Sequence, residues 1–463
     1  MNEDVHIPIP EQLTRLARLF SQAGARLYGV GGMVRNPLLG VPASDIDICS
    51  RLRPDEARAL CEGDGLRVIP TGEKFGTVSI LFPDGFLTEH TTFRSDVYGE
   101  GGAHRPTSVE FGESVETDAF RRDFSCNALY VDLESGEILD PTGGMEDIRR
   151  KVLRTTTKDP ELILRDDALR ILRMARFAAR LGFSVDPDTE AAAHRLVKGL
   201  DDIARERVRA ELEKTLLADG ERVLEALRLL ERTGALERIL PELIKGRGVE
   251  QPGPYHAYTV IEHVFHVCAV MPKVLHLRLA GLLHDVGKPY AIEKNRIDPV
   301  RPGRSPMIGH DALGVEISRE ILERLRFPNA VRDRVLPLVE RHMYDLDGRA
   351  KESTLRARFA DWGDAFVEDL ILMREADVVG SGMETGPVAT AERWRDLLQR
   401  MRREGAPFSE AQLACTGEEL MQWLEIAPGP EIGRIKHQLL LHCARHPSDN
   451  TPTRLRHIAR NFK

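Results

Sequence analysis

Two aspartates near the start of the chain, Asp45 and Asp47, have the spacing that most directly suggests chemistry. Side chains two apart in a β-strand point to the same face, so both carboxylates would face one way while Ile46 and Ile48 face a core. Two such carboxylates can share a pair of divalent cations of the kind used for phosphoryl or nucleotidyl displacement. Oxygen ligands favour Mg²⁺, which keeps waters and binds substrate phosphates. Most isolated pairs of this kind are ordinary surface strands, so the neighbouring sequence has to decide.

The segment before this pair favours a phosphate site. Residues 26–30 predict a buried strand, and residues 33–39 predict a short helix. Between them, Gly31 and Gly32 allow backbone conformations closed to other residues and let a phosphate approach closely. The N-terminus of the predicted helix is a place where a phosphate can bind.

Two motifs in this region carry a family resemblance: the sequence GGMVR at 31–35, and Asp45 with Asp47. Together they resemble the signature of the class II tRNA nucleotidyltransferase and bacterial poly(A) polymerase family. The resemblance implies that the two glycines and Arg35 bind a nucleotide and that both aspartates are catalytic metal ligands. The family signature continues with an aspartate, whereas this chain has Asn36, which keeps hydrogen bonding but loses the charge. The role of position 36 therefore stays open.

A further acidic residue is expected on a hairpin. Residues 78–82 and 86–93 predict two strands around a turn at 83–85, and the second strand carries Glu89 just before the sequence TTFR. The resemblance makes Glu89 the third carboxylate of the metal site, and the alternative is an exposed strand glutamate. The Gly-rich, polar stretch 95–106 predicts a mobile loop. In the family, such a loop helps to switch nucleotide preference.

The sequence RRDFSCNA at 121–128 matches the family motif R-R-D-F-[ST]-x-N-A. Paired arginines suit a triphosphate, because each guanidinium offers several planar donors. We expect Arg122 to bind the triphosphate, and Asp123 and Asn127 to fix either the ribose or the arginines. The alternative is a salt bridge at the start of a helix.

A long helix is predicted over 160–180, with Asp167 and Arg170 on one face. Residues 166–170 resemble the family motif E-D-x-x-R, with the first acid shortened to aspartate. Cytosine and adenine both present an amine beside a ring-nitrogen acceptor on the Watson–Crick edge. A carboxylate beside a guanidinium therefore suits C and A and opposes U and G. We expect Asp167 and Arg170 to choose the base; the alternative is a surface ion pair of little energetic weight.

Two further features of this helical region have open interpretations. Arg173, Arg176 and Arg180 continue the predicted helix and would either contact tRNA phosphates or pair with acids. The sequence ERVRAEL at 206–212 also resembles a family helix motif. We interpret it as mainly structural, with orientation of the base-reading pair as an open second role.

A second chemistry is predicted downstream, where the sequence HDVGK at 284–288 ends an apolar helix. Histidines and aspartates at helix ends can converge on one or two divalent metals. The pattern resembles the HD phosphohydrolase superfamily, whose members with an intact site are linked to phosphodiesterase or phosphatase activity on nucleotide ends. The implied metal ligands are His263, His284, Asp285, His310, His342 and Asp377. These residue types suit Mn²⁺, Ni²⁺, Co²⁺ or Zn²⁺ without choosing among them.

Composition sets the remaining limits. A length of 463 residues suggests about three domains, and the net charge of −8 argues against a uniformly basic nucleic-acid surface. Six cysteines without a C-x-x-C spacing indicate reduced thiols and a cytoplasmic protein. The sequence offers neither a signal-peptide pattern nor an apolar run of membrane-spanning length, so we expect no membrane partner.

These observations predict an α+β protein with a mixed-sheet nucleotidyltransferase head followed by helical parts. We expect the head at 1–152, a helical neck for base recognition and RNA binding at 153–245, and an HD body at 246–385. A helical tRNA-binding tail follows at 386–463, where the sequences GEELM at 417–421 and PGPEIG at 428–433 resemble family motifs.

The expected function is template-independent addition of C, C and A to tRNA 3′ ends from CTP and ATP. Addition of CC alone, of A alone, or of poly(A) stays open, as does an HD nucleotide hydrolase with an RNA-binding head. A non-catalytic RNA-binding protein is disfavoured by the two metal-ligand sets. The oligomeric state, monomer or homodimer, also stays open.

Overall fold

The computed structural model describes residues 7–43, 46–97, 108–251, 257–297, 306–383 and 386–463. The chain divides into two compact units, Met1–Pro241 and Glu242–Lys463. A mixed sheet with helices makes up the first unit, and the described part of the second unit is helical. This arrangement confirms the predicted α+β class. The finer division into head, neck, HD body and tail stays a prediction.

The strands carry most of the first candidate site. In chain order they are β1 (Tyr28–Val30), β2 (Asp47–Ser50), β3 (Arg67–Gly72), β4 (Thr77–Leu81), β5 (Leu87–Thr92), β6 (Arg94–Val97), β7 (Ser108–Phe111), β8 (Tyr130–Asp132), β9 (Ile138–Leu139), β10 (Val152–Leu153) and β11 (Ser184–Val185). Seven of them form one sheet in the order β3-β4-β5-β2-β1-β8-β9. Within this sheet β2 and β5 pair in parallel, and the other neighbours pair antiparallel.

The helices alternate with these strands and then continue alone. In chain order they are α1 (Glu11–Gln22), α2 (Gly32–Leu38), α3 (Pro54–Gly63), α4 (Val115–Phe120), α5 (Gly144–Arg150), α6 (Pro160–Asp166), α7 (Leu169–Leu181), α8 (Pro187–Leu196), α9 (Arg205–Leu216), α10 (Gly220–Arg232), α11 (Ala235–Ile239), α12 (Pro241–Ile244), α13 (Val260–Val270), α14 (Leu275–Leu283), α15 (Lys288–Ile297), α16 (His310–Arg324), α17 (Asn329–Arg341), α18 (Glu352–Trp362), α19 (Asp364–Gly380), α20 (Ala389–Arg403), α21 (Gly417–Leu424), α22 (Pro430–Arg445) and α23 (Pro452–Ala459). Among the described residues, no helix combines the length and apolar character needed to cross a bilayer.

The predicted hairpin is confirmed, since β4 and β5 pair antiparallel around the turn at 83–85. Along β5 the side chains alternate, with Thr88, His90 and Thr92 buried and with Leu87 and Glu89 exposed. This alternation follows from the two-residue period of a strand. It places Glu89 on the accessible side of the sheet.

The buried face of β5 contains one titratable side chain. His90 is fully buried, its Nε2 lies 2.8 Å from Ser50 Oγ, and its ring centroid lies 5.4 Å from that of Phe20. Burial lowers the pKa of His90 to about 3, because a charged imidazole loses its hydration there. His90 is therefore neutral at physiological pH.

The predicted single helix over 160–180 is wrong. The chain forms two helices instead, with α6 ending at Asp166 and α7 beginning at Leu169. Between them Asp167 has an extended backbone (φ −145°, ψ 102°), and its Oδ1 accepts a hydrogen bond of 3.0 Å from the Leu169 N–H. Aspartate side chains compete in this way with helical backbone hydrogen bonds. The argument that Asp167 and Arg170 share one helix face therefore fails, and their relation depends on the break.

The predicted loop at 95–106 lies mostly outside the described residues, because 98–107 are not among them. Its first residues belong to β6, which pairs antiparallel with β7.

In the second unit the apolar helix before the HDVGK sequence is confirmed as α14, whose residues 276–283 are all buried. The tail segments predicted to be helical correspond to α21 and α22. The backbone at Gly287 lies very close to the backbone at His310, because a Cβ on Gly287 would lie 2.1 Å from the His310 carbonyl oxygen. Glycine at this position therefore lets α16 bring His310 close to the end of α14.

Candidate active sites

The first candidate site contains two carboxylates on adjacent strands. Asp47 in β2 is the register partner of Glu89 in β5, and both side chains are exposed. Neighbouring strands lie roughly 4.8 Å apart, and residues in register project from the same face. Asp45 lies outside the described residues. A pair of accessible carboxylates in this arrangement offers oxygen donors, which fit a hard divalent cation.

An arginine-rich cavity of about 480 Å³ includes Asp47 in its wall. Nine arginines and four aspartates line it: Arg35, Arg94, Arg121, Arg122, Arg170, Arg173, Arg176, Arg180, Arg207, Asp47, Asp96, Asp123 and Asp167. Gly31, Gly32 and Asn127 complete the set of predicted nucleotide-binding residues in the wall. The excess of positive charge suits a polyphosphate, because guanidinium groups form charge-assisted hydrogen bonds with phosphate oxygens.

Gly31 leaves space beside one of these arginines. Its backbone lies in the left-handed region (φ 66°), and its N–H donates to the Leu129 carbonyl at 3.3 Å. A Cβ on Gly31 would lie 3.8 Å from the Asn127 carbonyl oxygen and 4.0 Å from Arg122 Nη1. The conformation requires glycine, and the missing side chain keeps the end of Arg122 accessible.

Arg35 is held by the residue that departs from the family signature. Its guanidinium donates to Asn36 Oδ1 from Nε at 3.2 Å and from Nη2 at 2.9 Å, and also donates to Asn127 Oδ1. Asn36 Nδ2 in turn lies 3.4 Å from the Pro42 carbonyl oxygen, to which it donates. A carboxylate at position 36 could accept from Arg35 but could not donate to Pro42. Asparagine can therefore link Arg35 to the chain that leads into β2.

Asp123 holds an arginine of α7. Its Oδ1 accepts from the Phe124 N–H at 2.9 Å and from Asn127 Nδ2 at 3.0 Å, and its Oδ2 accepts from Arg173 Nε at 2.7 Å. Burial alone would raise the pKa of Asp123, but Arg173 and Asn127 outweigh it and lower the pKa to about 2. The arginine that Asp123 contacts belongs to α7 and not to the RRDFSCNA motif, so the expected role of Asp123 toward the ribose or the paired arginines stays a prediction.

Two members of the predicted basic stripe are paired with acids. Arg173 contacts Asp123, and Arg176 Nε lies 2.7 Å from Glu211 Oε2 in α9. Both acids are buried. Of the two alternatives, pairing with acids is thus observed for these two arginines, and they line the cavity together with Arg180.

The base-reading residues have partners that the sequence did not predict. Asp167 Oδ2 accepts a 2.7 Å hydrogen bond from Arg207 Nη2. Arg170 donates to two backbone carbonyls, from Nη1 to Ile163 and from Nη2 to Arg121, each at 2.8 Å. Both predicted residues line the cavity, and Arg207 supplies a guanidinium in contact with Asp167. The available signal was the helix motif at 206–212, which we interpreted as mainly structural.

The second candidate site brings together all six predicted residues of the second unit. The first half joins His263 Nε2 to Asp377 Oδ1 (3.1 Å) and His284 Nε2 to Asp285 Oδ2 (3.1 Å). In the second half, Asp285 Oδ1 lies 3.3 Å from His310 Nε2 and 3.6 Å from His342 Nε2. His263, His284 and Asp285 could hold one metal ion, and Asp285, His310 and His342 could hold a second, so the two groups share the Asp285 carboxylate. Asp377 lies beside the first group.

The protonation of the four imidazoles tests whether this cluster fits a cation. Each Nδ1 lies near a backbone carbonyl oxygen: His263 at Gly380 (3.2 Å), His284 at Gly281 (2.9 Å), His310 at Met307 (2.9 Å) and His342 at Val339 (2.7 Å). A carbonyl only accepts, so Nδ1 carries the proton and a neutral ring presents a lone pair at Nε2.

The resulting lone pairs face one another. The Nε2 atoms of His263 and His284 lie 3.2 Å apart, as do those of His310 and His342. Among the described residues Asp285 Oδ1 is buried without a hydrogen-bond donor. Neutral nitrogens and an anionic oxygen this close repel one another unless positive charge lies between them. The cluster therefore fits bound divalent metal, and imidazole nitrogen with carboxylate oxygen suits transition metals.

One cation beside this cluster was missed although it lies in the HDVGK sequence. Lys288 Nζ lies 2.5 Å from Asp285 Oδ2 and donates to Gln251 Oε1 at 2.6 Å. Although burial opposes it, the positive charge of Lys288 helps to hold the pKa of Asp285 well below its usual range. Asp285 is therefore ionised.

Comparison with known proteins places these sites in a family. Three family descriptions match the chain: the Poly A polymerase head domain over 27–154, the probable RNA and SrmB-binding site of polymerase A over 182–246, and the HD domain over 255–369. An A-adding tRNA nucleotidyltransferase from Deinococcus radiodurans is 33% identical over 89% of both chains. The chain belongs to the class II tRNA nucleotidyltransferase family.

Other members of this family differ in the nucleotides that their names specify. A CC-adding tRNA nucleotidyltransferase from Thermus thermophilus is 34% identical over 89% of this chain and 88% of its own. Further relatives are named CCA-adding enzymes. The crystal structure of the Bacillus stearothermophilus CCA-adding enzyme in complex with CTP has a TM-score of 0.70 and 26% identity, covering 97% of this chain and 96% of that one. Arg207 falls within the stretch that matches the RNA-binding description.

Proposed function

We propose that this chain adds C, C and A to the 3′ end of tRNA from CTP and ATP, without a nucleic-acid template. The observation that carries the proposal is the register of Asp47 with Glu89 on parallel strands, beside an arginine-rich cavity that also contains Asp167. Relatives named CCA-adding enzymes, and the likeness to one in complex with CTP, support it.

In this proposal the head catalyses nucleotidyl transfer. Asp47 and Glu89, with Asp45, hold Mg²⁺, which would supply the charge that activates the tRNA 3′-hydroxyl and stabilises the departing pyrophosphate. Arg122 binds the triphosphate, which its exposed end can reach in the cavity. The 3′-oxygen forms a bond to the α-phosphorus, the bond from this phosphorus to the β-phosphate oxygen breaks, and the hydroxyl proton passes to solvent.

Asp167 selects the base. Its carboxylate accepts from the exocyclic amine of cytosine or adenine, while a neighbouring guanidinium donates to the ring nitrogen. Arg207 touches Asp167, and Arg170 lines the same cavity while it holds two backbone carbonyls. Uracil and guanine present a carbonyl where an amine is needed, so they are disfavoured.

The test is addition to a tRNA that lacks its last three nucleotides. With labelled CTP alone we expect two added residues, and with CTP and ATP we expect three. Three results would contradict the proposal, and each would identify an alternative. Addition that stops at CC when both nucleotides are present indicates a CC-adding enzyme. Activity restricted to adding A to a tRNA that already ends in CC indicates an A-adding enzyme, and repeated addition of A to unrelated RNA indicates a poly(A) polymerase.

The histidine cluster favours a second function, metal-dependent hydrolysis of phosphoesters at nucleotide ends. The six residues of the cluster would hold Mn²⁺, Ni²⁺, Co²⁺ or Zn²⁺, which would polarise a phosphoryl oxygen and lower the pKa of a water. Lys288 keeps a positive charge next to Asp285. Hydrolysis of p-nitrophenyl phosphate and its diester with each metal tests this function. Failure with every metal, in protein shown to contain the metal, would contradict it.

We further propose a cytoplasmic location, where tRNA, CTP and ATP are available, and the four-part division of the chain given above. Expression of residues 1–245 tests the division between neck and HD body, because a folded fragment is expected to bind CTP. Light scattering of the purified chain decides between monomer and homodimer.

A further inference from the structure

A carboxylate lies beneath the arginine-rich cavity, where it is withdrawn from solvent. Asp118 in α4 is 0% exposed. Burying an unpaired carboxylate is costly, so such a residue must be surrounded by donors. The role of Asp118 depends on which groups supply these hydrogen-bond donors.

The donors are the two arginines of the RRDFSCNA motif and one tyrosine. Asp118 Oδ1 accepts from Arg121 Nε at 2.9 Å. Asp118 Oδ2 accepts from Arg122 Nε at 2.9 Å and from Tyr130 Oη at 2.7 Å. Each oxygen therefore holds one guanidinium. Although burial opposes it, Arg122 and Arg121 keep the pKa of Asp118 well below its usual range.

Tyr130 anchors this arrangement in the sheet. Its ring belongs to a buried cluster that includes Val30, Cys49 and Phe93, and its backbone pairs with Val30 of β1. The Arg122 guanidinium carbon lies 5.5 Å from the centre of the Tyr130 ring. The carboxylate and the hydroxyl that hold Arg122 are thus fixed by the core.

Both arginines also border the arginine-rich cavity. Arg121 and Arg122 both line it, and their side chains are 15% and 19% exposed. Gly31 leaves room next to Arg122 Nη1. Asp118 therefore contacts the Nε and Nη2 groups of both guanidiniums. Nη1 of Arg121 lies 3.5 Å from Asp96 Oδ2, whereas Nη1 of Arg122 borders the space beside Gly31, where it can meet a ligand.

We propose that Asp118 and Tyr130 form a buried clamp that fixes Arg122 in the orientation that grips the nucleotide triphosphate, while Asp118 and Asp96 hold Arg121 beside it. The clamp does not touch the substrate, so its members are positioning residues. It strengthens binding because the guanidinium groups are ordered before the ligand arrives. The inference rests on the proposed function, since it takes the ligand to be CTP or ATP.

The test compares ligands that differ only in the number of phosphates. In Asp118→Asn, dissociation constants measured calorimetrically with Mg²⁺ are expected to rise about tenfold for CTP, the scale of a lost hydrogen bond between charged groups. For CMP they are expected to rise less than about twofold, and for CDP by an intermediate factor. The KM for CTP should rise more than kcat falls. A purely structural role would weaken the binding of all three ligands alike, and that result would overturn the clamp.

Tyr130→Phe provides a milder variant that keeps the ring in the core. We expect about threefold weaker CTP binding, because a neutral donor to the carboxylate is lost. Tyr28→Phe is the matched control, since Tyr28 packs against the same cluster and lies outside the clamp. If Tyr130→Phe and Tyr28→Phe bind CTP equally well, the clamp is wrong. If the unmodified chain binds neither CTP nor ATP, the proposed function fails instead.

Discussion

Arg207 Nη2 lies 2.7 Å from Asp167 Oδ2, across 40 residues of sequence. The carboxylate expected to read the base is thus oriented by α9 as well as by the break between α6 and α7. Its other oxygen accepts the Leu169 N–H. Asp167 is held from two sides, which leaves it little freedom to turn away from a bound base.

We therefore predict that Arg207→Gln relaxes base selection. Without the guanidinium, Asp167 can rotate, so the preference for CTP over UTP is expected to fall about tenfold, the scale of one good bidentate contact to a base. The measurement is kcat/KM for each nucleotide with a tRNA that lacks its 3′ end. Arg209→Gln is the control, because Arg209 lies in the same helix and pairs with Glu213. Unchanged selectivity in Arg207→Gln would show that Arg207 has no part in it.

The acidic pair of β2 and β5 predicts a different defect. Asp47→Asn or Glu89→Gln is expected to reduce nucleotide addition by at least about a hundredfold, because in the proposed mechanism each change removes a charged metal ligand. Circular dichroism should remain that of the unmodified chain, because both side chains are exposed. Asp84→Asn, in the turn of the same hairpin, should retain activity. Normal addition by Glu89→Gln would exclude Glu89 from the metal site.

The shared carboxylate of the histidine cluster makes a prediction about metal content. Asp285→Asn is expected to lose most of the bound transition metal, because Asp285 contributes an oxygen to both halves of the cluster. Metal analysis of purified protein provides the measurement, and nucleotide addition should persist. His276→Asn is the control, since His276 is buried but pairs with Asp369 at 2.9 Å, apart from the cluster. Equal metal content in both variants would mean that the cluster is not the metal site.

The residues of both sites could be predicted from sequence, but on different grounds. Asp47 and Glu89 belong to a strand and a hairpin, whose two-residue period fixes their face, and a family signature links them. The six residues of the histidine cluster followed from family resemblance, and α14 followed from its apolar sequence. In both cases short motifs contain the information.

Other contacts could not be predicted because they join distant elements. Arg207 meets Asp167 only once α9 packs against α7. The family helix motif at 206–212 left a role beside the base-reading pair open, but it did not identify this contact. The side chain of Asp118 resembles any acid in a first helical turn until Tyr130 and two arginines surround it. The single helix predicted over 160–180 fails for a local reason, since the side chain of Asp167 captures a backbone N–H.

His90 gives a pH dependence that the sequence alone does not suggest. Its pKa is about 3 in the folded chain and about 6.5 when unfolded. Between these pH values the unfolded chain binds a proton at His90 that the folded chain does not bind. The folded state therefore becomes less stable relative to the unfolded state as the pH drops below 6.5. At pH 5 this proton uptake lowers the free energy of unfolding by about 2 kcal/mol, because each pH unit below 6.5 contributes about 1.36 kcal/mol.

The measurement compares urea unfolding of the unmodified chain and His90→Phe at pH 7 and pH 5. The stability of the unmodified chain relative to the variant should decline by about 2 kcal/mol over this interval. Ser79→Ala, another change at a buried position of the same sheet, should show no such difference. A constant difference between His90→Phe and the unmodified chain at both pH values would mean that His90 titrates normally.

The parallel pairing of β2 with β5 also limits how this protein can vary in evolution. Insertions at the solvent-facing turn 83–85 leave the register of Asp47 with Glu89 intact. A single residue gained or lost inside β5 would exchange its two faces, moving Glu89 into the core and His90 to the exposed face. Length changes in homologous chains should therefore accumulate at the hairpin tip and be purged from the strand.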